Sequence, residues 1–453
     1  MNGQGRALSG VMAMPATRKL PWGFAEGFAI SQTALPAILM LPGTQAVRLP
    51  IRVSAYAISL AAFAWYMLTP AAKLRQSKVQ SWVFGVMALL AVMLFHPLTS
   101  SFSGGLAHLA VYFAVMAPLF WAPALVESPE RLSRIMWILL VCAGLNSVVG
   151  VLQVYDPDRW LPAEFSRFMV GQEMGLGPVS FTGPDGRQLV RPPGLFDTPG
   201  AVAGPAAYAA LLGLVFAVSR IPTWRRLLSL VFAGAGLGAI YLSQVRISWA
   251  VTAGMMLAYG LTLAKQERFA RATQFAILAS GIFVGGFILA VSLGGQEISE
   301  RFLTLFASDP LSVYRDARGV QFDLTFDDLL TQYPFGAGIG RWGMAAVYFG
   351  TFSERSVGMW AEIQLTGWMI DGGVVMIGLY GGALIVTAMG QWRIAMAPDH
   401  KLATCGAVVL AANLGTAAMI FTFTPFVAQS GIQYWFLAGA LHGVAVRRGL
   451  DGA

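Results

Sequence analysis

The stretch TQFAILASGIFVGGFILAVSL, Thr273 to Leu293, decides how the whole chain is read. It carries no charge and has the length of roughly 20 residues that an α-helix needs to cross a bilayer. Runs of the same kind recur from end to end. They lie near 24–41, 51–69, 81–97, 105–126, 135–153, 200–219, 227–243, 247–264, 273–293, 362–386, 403–423 and 428–446. The composition agrees: 56% of the 453 residues are hydrophobic, 11% are charged, and the mean hydropathy is +0.64. A soluble domain carries about 25% charged residues. The expected fold is therefore an all-α polytopic membrane protein of about twelve transmembrane helices, forming one integral membrane domain over 1–453. The basic N-terminus precedes one span among many, so no cleaved signal peptide is read. Cys142 and Cys405 lie in or beside apolar runs and are expected to be buried thiols. No pattern resembles a nucleic-acid module, a metal site or a Ser-His-Asp arrangement, so nucleic-acid, metal and cofactor roles are not expected.

Two connections are long, 154–199 and 294–361, and both are rich in Gly, Pro, Asp and Arg. With both termini in the cytoplasm, every cytoplasmic segment holds at least two cations, as the positive-inside rule expects. The two long loops then face the other side, the larger between helices 9 and 10. All five lysines fall inside, and the twelve cations left outside are all arginine. Arginine's planar fork binds phosphate bidentately and keeps its charge when partly desolvated. An outer face built on arginine suggests recognition of a phosphate-like anion. Pairing with loop acids, or contact with membrane lipids, is the plainer alternative for any one of them.

Several of these arginines occupy informative positions. Arg191 opens VRPPGLFDTPGAVAG, Val190 to Gly204, just ahead of the sixth span and close after Arg187. Pro192 and Pro193 stiffen the chain there, and Asp197-Thr-Pro-Gly200 reads as a turn with Asp197 as helix N-cap. Arg246 sits in a very short turn between spans seven and eight. A charge at that depth is a functional candidate, with snorkelling to lipid phosphates as the other reading. Arg315 and Arg318 begin a loosely amphipathic segment that ends at Pro334-Phe335-Gly336. The following GxGxG run, Gly336-Ala-Gly338-Ile-Gly340, leads to Arg341. It follows no strand, so it is read as a glycine turn that lets backbone approach a ligand, not as a dinucleotide fold.

Glu362 begins the tenth span in MWAEIQLTGWMIDGG. It is either a general base for a sugar hydroxyl or an interfacial residue satisfied by an arginine. Asp371 lies deeper. At about 100° per residue, a continuous helix would put it on the face opposite Glu362, and an acid at that depth requires a partner.

Taken together, these segments resemble the O-antigen ligase/polymerase superfamily of bacterial envelope proteins. Arg191-Pro-Pro-Gly194-Leu-Phe-Asp-Thr-Pro199-Gly200 is similar to that family's Arg-x-x-Gly-x-x-x-x-Pro-Asn entry to a span, with Gly200 where the Asn stands. Val245-Arg246 is similar to its Ser-Arg pair. Arg318 through Pro334-Phe-Gly336-Ala-Gly338 resembles its Arg-helix-Pro-x-x-Gly-x-Gly signature, and the helix from Glu362 resembles the one after the large loop. The resemblance covers roughly 185–385.

It implies a GT-C-like bundle and an inverting, metal-independent glycosyltransferase at the periplasmic face of the inner membrane. The donor is an oligosaccharide on undecaprenyl pyrophosphate, whose pyrophosphate the arginines hold: Arg191, Arg246 and Arg318, with Arg315, Arg341 and Arg187 as further candidates. Glu362 is the expected base and Arg246 acts beside it in catalysis. Partners include a chain-length regulator or a flippase. Glu362-Ile363 stands where ligases commonly carry His-Asn, which favours polymerisation of O-antigen or exopolysaccharide repeats over ligation to lipid A-core. The other classes are a multi-pass transporter or flippase of envelope intermediates, whose binding groups belong near the midplane at broken helices, and an assembly subunit with a dead site.

Overall fold

The computed structural model describes residues 22–69, 77–161, 180–182, 188–243, 245–294, 314–352 and 357–450. A helix falls on each of the twelve apolar runs: Phe24–Ile38, Arg48–Leu68, Lys78–Met93, Phe102–Met116 continuing into Pro118–Leu125, Pro129–Tyr155, Ala203–Ala217, Thr223–Ser243, Arg246–Lys265, Phe269–Gly294, Gln364–Ala395, His400–Ala418 and Gln429–Arg447. Eight helices among the described residues are long and apolar enough to cross a membrane. Lys78–Met93 and Ala203–Ala217 are apolar but shorter. The protein is thus an all-α, multi-pass membrane protein.

Local chemistry sets many of the helix starts. Ser77 accepts from the Gln80 N–H while Gln80 reaches back to Ser77, a reciprocal cap. Ser128 precedes Pro129, which needs no donor in the first turn. Asp399 accepts from Lys401 and Leu402. Ala203–Ala217 and Thr223–Ser243 pack through small residues: a Cβ on Gly213 would stand 2.6 Å from the Ser229 carbonyl oxygen, and one on Gly236 would stand 2.7 Å from that of Ala206. Such close backbone approach replaces the hydrophobic drive that lipid removes.

At the end of the bundle away from the long loops, the cations have structural partners. Arg131 and Arg134 pair with the fully buried Glu26, Lys401 with Glu130, and Arg447 donates to the Pro123 and Val126 carbonyls.

The first long loop contains a feature that apolar periodicity does not announce. Ser180–Thr182 pairs antiparallel with Gln188–Val190, and the second strand ends directly on Arg191. The sixth helix then begins at Ala203, capped by Val202, so Asp197 is not its N-cap. The second loop carries a helical run over 315–332, wound alternately as α and π turns, and the short helix Gly343–Phe349.

The long helix Gln364–Ala395 is broken. Gly373 has φ 62° and ψ −151° inside Gln364–Ala395, a conformation essentially reserved for glycine. The second loop fills the break. The Val374 N–H donates to the Pro334 carbonyl at 2.9 Å, and the Ala337 N–H to the Ile370 carbonyl at 2.7 Å. Two backbone groups at the break, the Ile370 carbonyl and the Val374 amide, are therefore satisfied by the chain itself, as non-helical backbone at this depth requires.

Candidate functional site

The two long loops meet at one end of the bundle, and the arginines there divide into two groups. In the first, Arg48 and Arg52, one turn apart on the second helix, both donate through Nε to Asp197 Oδ2 at 2.7 Å. Arg48 is buried and Arg52 nearly so. A carboxylate shared by two guanidinium groups ties the Arg191 turn to the second helix. Asp197 takes this role instead of the capping role its local sequence suggests, because charge-assisted bonds in a partly desolvated place outweigh one cap.

In the second group, Arg191 and Arg318 lie close enough for the charge of one to act on the other, and Arg318 forms an ion pair with Glu362. Burial lowers the pKa of Arg191; burial also lowers that of Arg318, against an opposing effect of Tyr314 and with a smaller lowering from the Arg191 charge. Guanidinium groups remain protonated through the physiological range regardless. No carboxylate is bonded to Arg191 among the described residues, and the Glu362 carboxylate is paired with Arg318. The pair is open to solvent, with side-chain exposures of 36% and 31%; pairs this exposed contribute ~0–1 kcal/mol.

Each member has a definite support. The Gly194 amide and carbonyl both bond to Gln153 at 2.8 Å, and the Leu195 N–H donates to Asn146 Oδ1 at 2.6 Å, anchoring the Arg191 turn to the fifth span. Gly200 closes that turn by donating to the Arg191 carbonyl at 3.3 Å. Its φ of 70° lies in the left-handed region, which asparagine tolerates better than other side chains. Arg318 rides on the 315–332 run, which is stitched to the tenth span by Thr325 Oγ1 and Thr366 Oγ1 at 2.6 Å. Tyr314 donates to the Phe421 carbonyl at 2.7 Å, and Phe322 stacks on Phe421. Glu362 precedes the helix, which starts at Gln364 after an extended Ile363. The helical-wheel relation between Glu362 and Asp371 therefore does not apply. The Glu362 N–H donates to Gln321 Oε1 at 3.0 Å.

The other sequence candidates are placed differently. Arg341 is 3% exposed, and its guanidinium donates to the carbonyls of Ala337 and Val357. It braces the loop and does not join the Arg191–Arg318 group. Arg315 is exposed one turn before Arg318. Arg246 opens the eighth helix, next to Val245, whose methyl group a Cβ on Gly200 would approach at 3.2 Å; the Arg246 side chain lies outside the described set, and so does Arg187.

The glycine run approaches protein, not ligand. Gly336, Gly338 and Gly340 have φ of 101°, 88° and 74°. A Cβ at each would stand 2.8 Å from Gly372 Cα, 2.6 Å from the Thr99 nitrogen and 2.6 Å from the Gly104 carbonyl carbon. Ser100 locks the contact by donating to the Gly340 carbonyl at 2.7 Å.

Sequence reasoning missed the partners of Asp371. This fully buried carboxylate accepts from Tyr112 Oη at 2.8 Å, His108 Nε2 at 3.1 Å and Trp342 Nε1 at 2.9 Å. His108 and Tyr112 are four apart on the Phe102–Met116 helix, a spacing that puts both on one face. That spacing was the available signal.

Compared with models of known protein families and with curated proteins, the chain matches none.

Proposed function

We propose that the protein is a glycosyltransferase that polymerises oligosaccharide repeats carried on undecaprenyl pyrophosphate, working at the periplasmic face of a bacterial inner membrane through twelve spans with both termini inside. The observation that carries this reading is the solvent-open ion pair of Arg318 with Glu362, on which the charge of Arg191, from the other long loop, acts. Two guanidinium groups that outnumber their acid suit a pyrophosphate, whose negative charge grows as it leaves the sugar. A carboxylate beside them suits a proton acceptor for the attacking hydroxyl. Gly200 departs from the asparagine of the ligase/polymerase motif, at a φ of 70° that asparagine also tolerates.

One observation favours the transporter reading: a discontinuous span beside an intramembrane acid, as transporters use at their binding sites. Here Pro334 to Ala337 fill the break, and Asp371 already has three donors, which leaves the enzymatic reading the stronger.

The deciding experiment is deletion in the native host with analysis of lipid-linked glycans. Single repeats accumulating on undecaprenyl pyrophosphate support a polymerase, whereas long polymers retained on that lipid mean a ligase. No change in lipid-linked glycans removes the proposal and favours transport.

A further inference from the structure

We propose that Glu362 is a self-blocking base: its carboxylate occupies Arg318 in the unliganded protein, and the pyrophosphate of the donor displaces it. Donor binding then releases the group that activates the acceptor, which imposes an order of donor first and acceptor second. The inference rests on the reading of this site as a pyrophosphate-dependent glycosyltransferase.

The geometry supports exchange. Both side chains of the pair are about one-third exposed, so an incoming anion reaches Arg318 without unfolding anything. The charge of Arg191 acts on Arg318, and Arg191 has no bonded carboxylate among the described residues. A pyrophosphate bridging both guanidinium groups offers more charge and more acceptor oxygens than one carboxylate on one arginine. Glu362 lies outside the helix, with its backbone N–H held by Gln321. Its side chain can therefore change rotamer while the main chain stays in place.

The chemistry gives the exchange a purpose. A carboxylate neutralised by a guanidinium is a poor proton acceptor, and a released one is better. In the transfer, the acceptor hydroxyl oxygen bonds to the donor's anomeric carbon while the bond from that carbon to the pyrophosphate oxygen breaks. The electron pair leaves with the polyprenyl pyrophosphate, and the hydroxyl proton passes to Glu362. After product release the carboxylate gives this proton to water and returns to Arg318. A base blocked until the donor arrives does not activate hydroxyl groups at an empty site.

The alternative is that the pair only tethers the 315–332 run to the tenth span. The two accounts predict opposite effects on binding. The test uses the full-length protein in lipid nanodiscs, with undecaprenyl pyrophosphate as probe and undecaprenol as the uncharged control. If Glu362 competes for Arg318, Glu362→Gln binds the pyrophosphate lipid about two- to five-fold more tightly than the unaltered protein, the range expected from an exposed pair. It binds the alcohol equally and makes no polymer. Glu362→Ala gives the same tightening, which guards against an effect peculiar to glutamine, and thermal melting of each variant establishes that it is folded. Equal or weaker binding by both folded variants overturns the self-blocking role while leaving a pyrophosphate site intact. If the unaltered protein shows no preference for the pyrophosphate lipid over the alcohol, the functional reading falls and the self-blocking role falls with it.

Discussion

His108 and Asp371 are 263 residues apart in sequence and meet inside the bundle, Nε2 to Oδ2 at 3.1 Å. The same carboxylate takes the Tyr112 hydroxyl and the Trp342 indole N–H, so one acid joins the fourth span, the second long loop and the break in the tenth span. Buried donors that lose a charged acceptor are costly. Asp371→Ala is expected to destabilise the protein by about 3 kcal/mol or more, read as a lower melting temperature in detergent. Asp371→Asn, which retains an accepting oxygen, should lose less.

Gly373 gives a sharper contrast. A Cβ there would lie 2.1 Å from the Pro334 carbonyl oxygen at φ 62°, whereas one on Gly378, in the same helix, meets nothing within 4 Å. Gly373→Ala should cost about 3 kcal/mol or more, as expected where strained backbone and steric overlap coincide. Gly378→Ala should be neutral or stabilising by roughly 0.5–1 kcal/mol. Comparing the yields of folded protein from the two variants checks this.

Asp197→Ala removes the shared acceptor of Arg48 and Arg52 and leaves two guanidinium groups facing one another. We expect a loss of about 3 kcal/mol or more and, on the proposed function, impaired polymer formation, because the Arg191 turn is no longer tied to the second helix. A variant with intact melting behaviour and intact polymer would mean that the bridge holds nothing in place.

Gly200→Asn should preserve folding and, on the proposed function, polymer formation, since asparagine accepts the left-handed conformation. Gly200→Val should not, because a β-branched side chain is strained there and would press on Val245 and Arg191. Polymer length distributions from cells carrying each variant separate the two outcomes.

Arg341 and Arg191 should respond differently to removal of charge. Arg191→Gln is expected to lower affinity for undecaprenyl pyrophosphate about tenfold or more with little change in melting temperature. Arg341→Gln leaves three carbonyl contacts unmade or poorly made, so it should lower the melting temperature first. A pyrophosphate-specific effect of Arg341→Gln in a fully stable variant would return Arg341 to the binding group.

The sequence by itself determined the class of the fold and the position of the twelve apolar helices seen among the described residues, because the length and apolarity that membrane crossing requires are local properties of the chain. Runs such as Thr273 to Leu293 therefore needed no knowledge of their neighbours. It also offered Arg191, Arg318 and Glu362 as candidates, the arginines because every cation in the two long connections is arginine.

Tertiary structure alone decided which of those charges meet. Asp197 follows a strong local capping pattern, yet two arginines from the second helix take its carboxylate. Arg341 is as basic as Arg318, but its guanidinium is spent on its own loop's carbonyls. The glycines of the 336–340 run announce positive φ and close approach, while the surface they approach, Thr99, Gly104 and Gly372, belongs to distant segments. The break at Gly373 likewise depends on Pro334 and Ala337 arriving to satisfy the freed carbonyl and amide. Hydrogen bonds and ion pairs are short-ranged, so their partners follow from how the helices assemble and not from spacing along the chain.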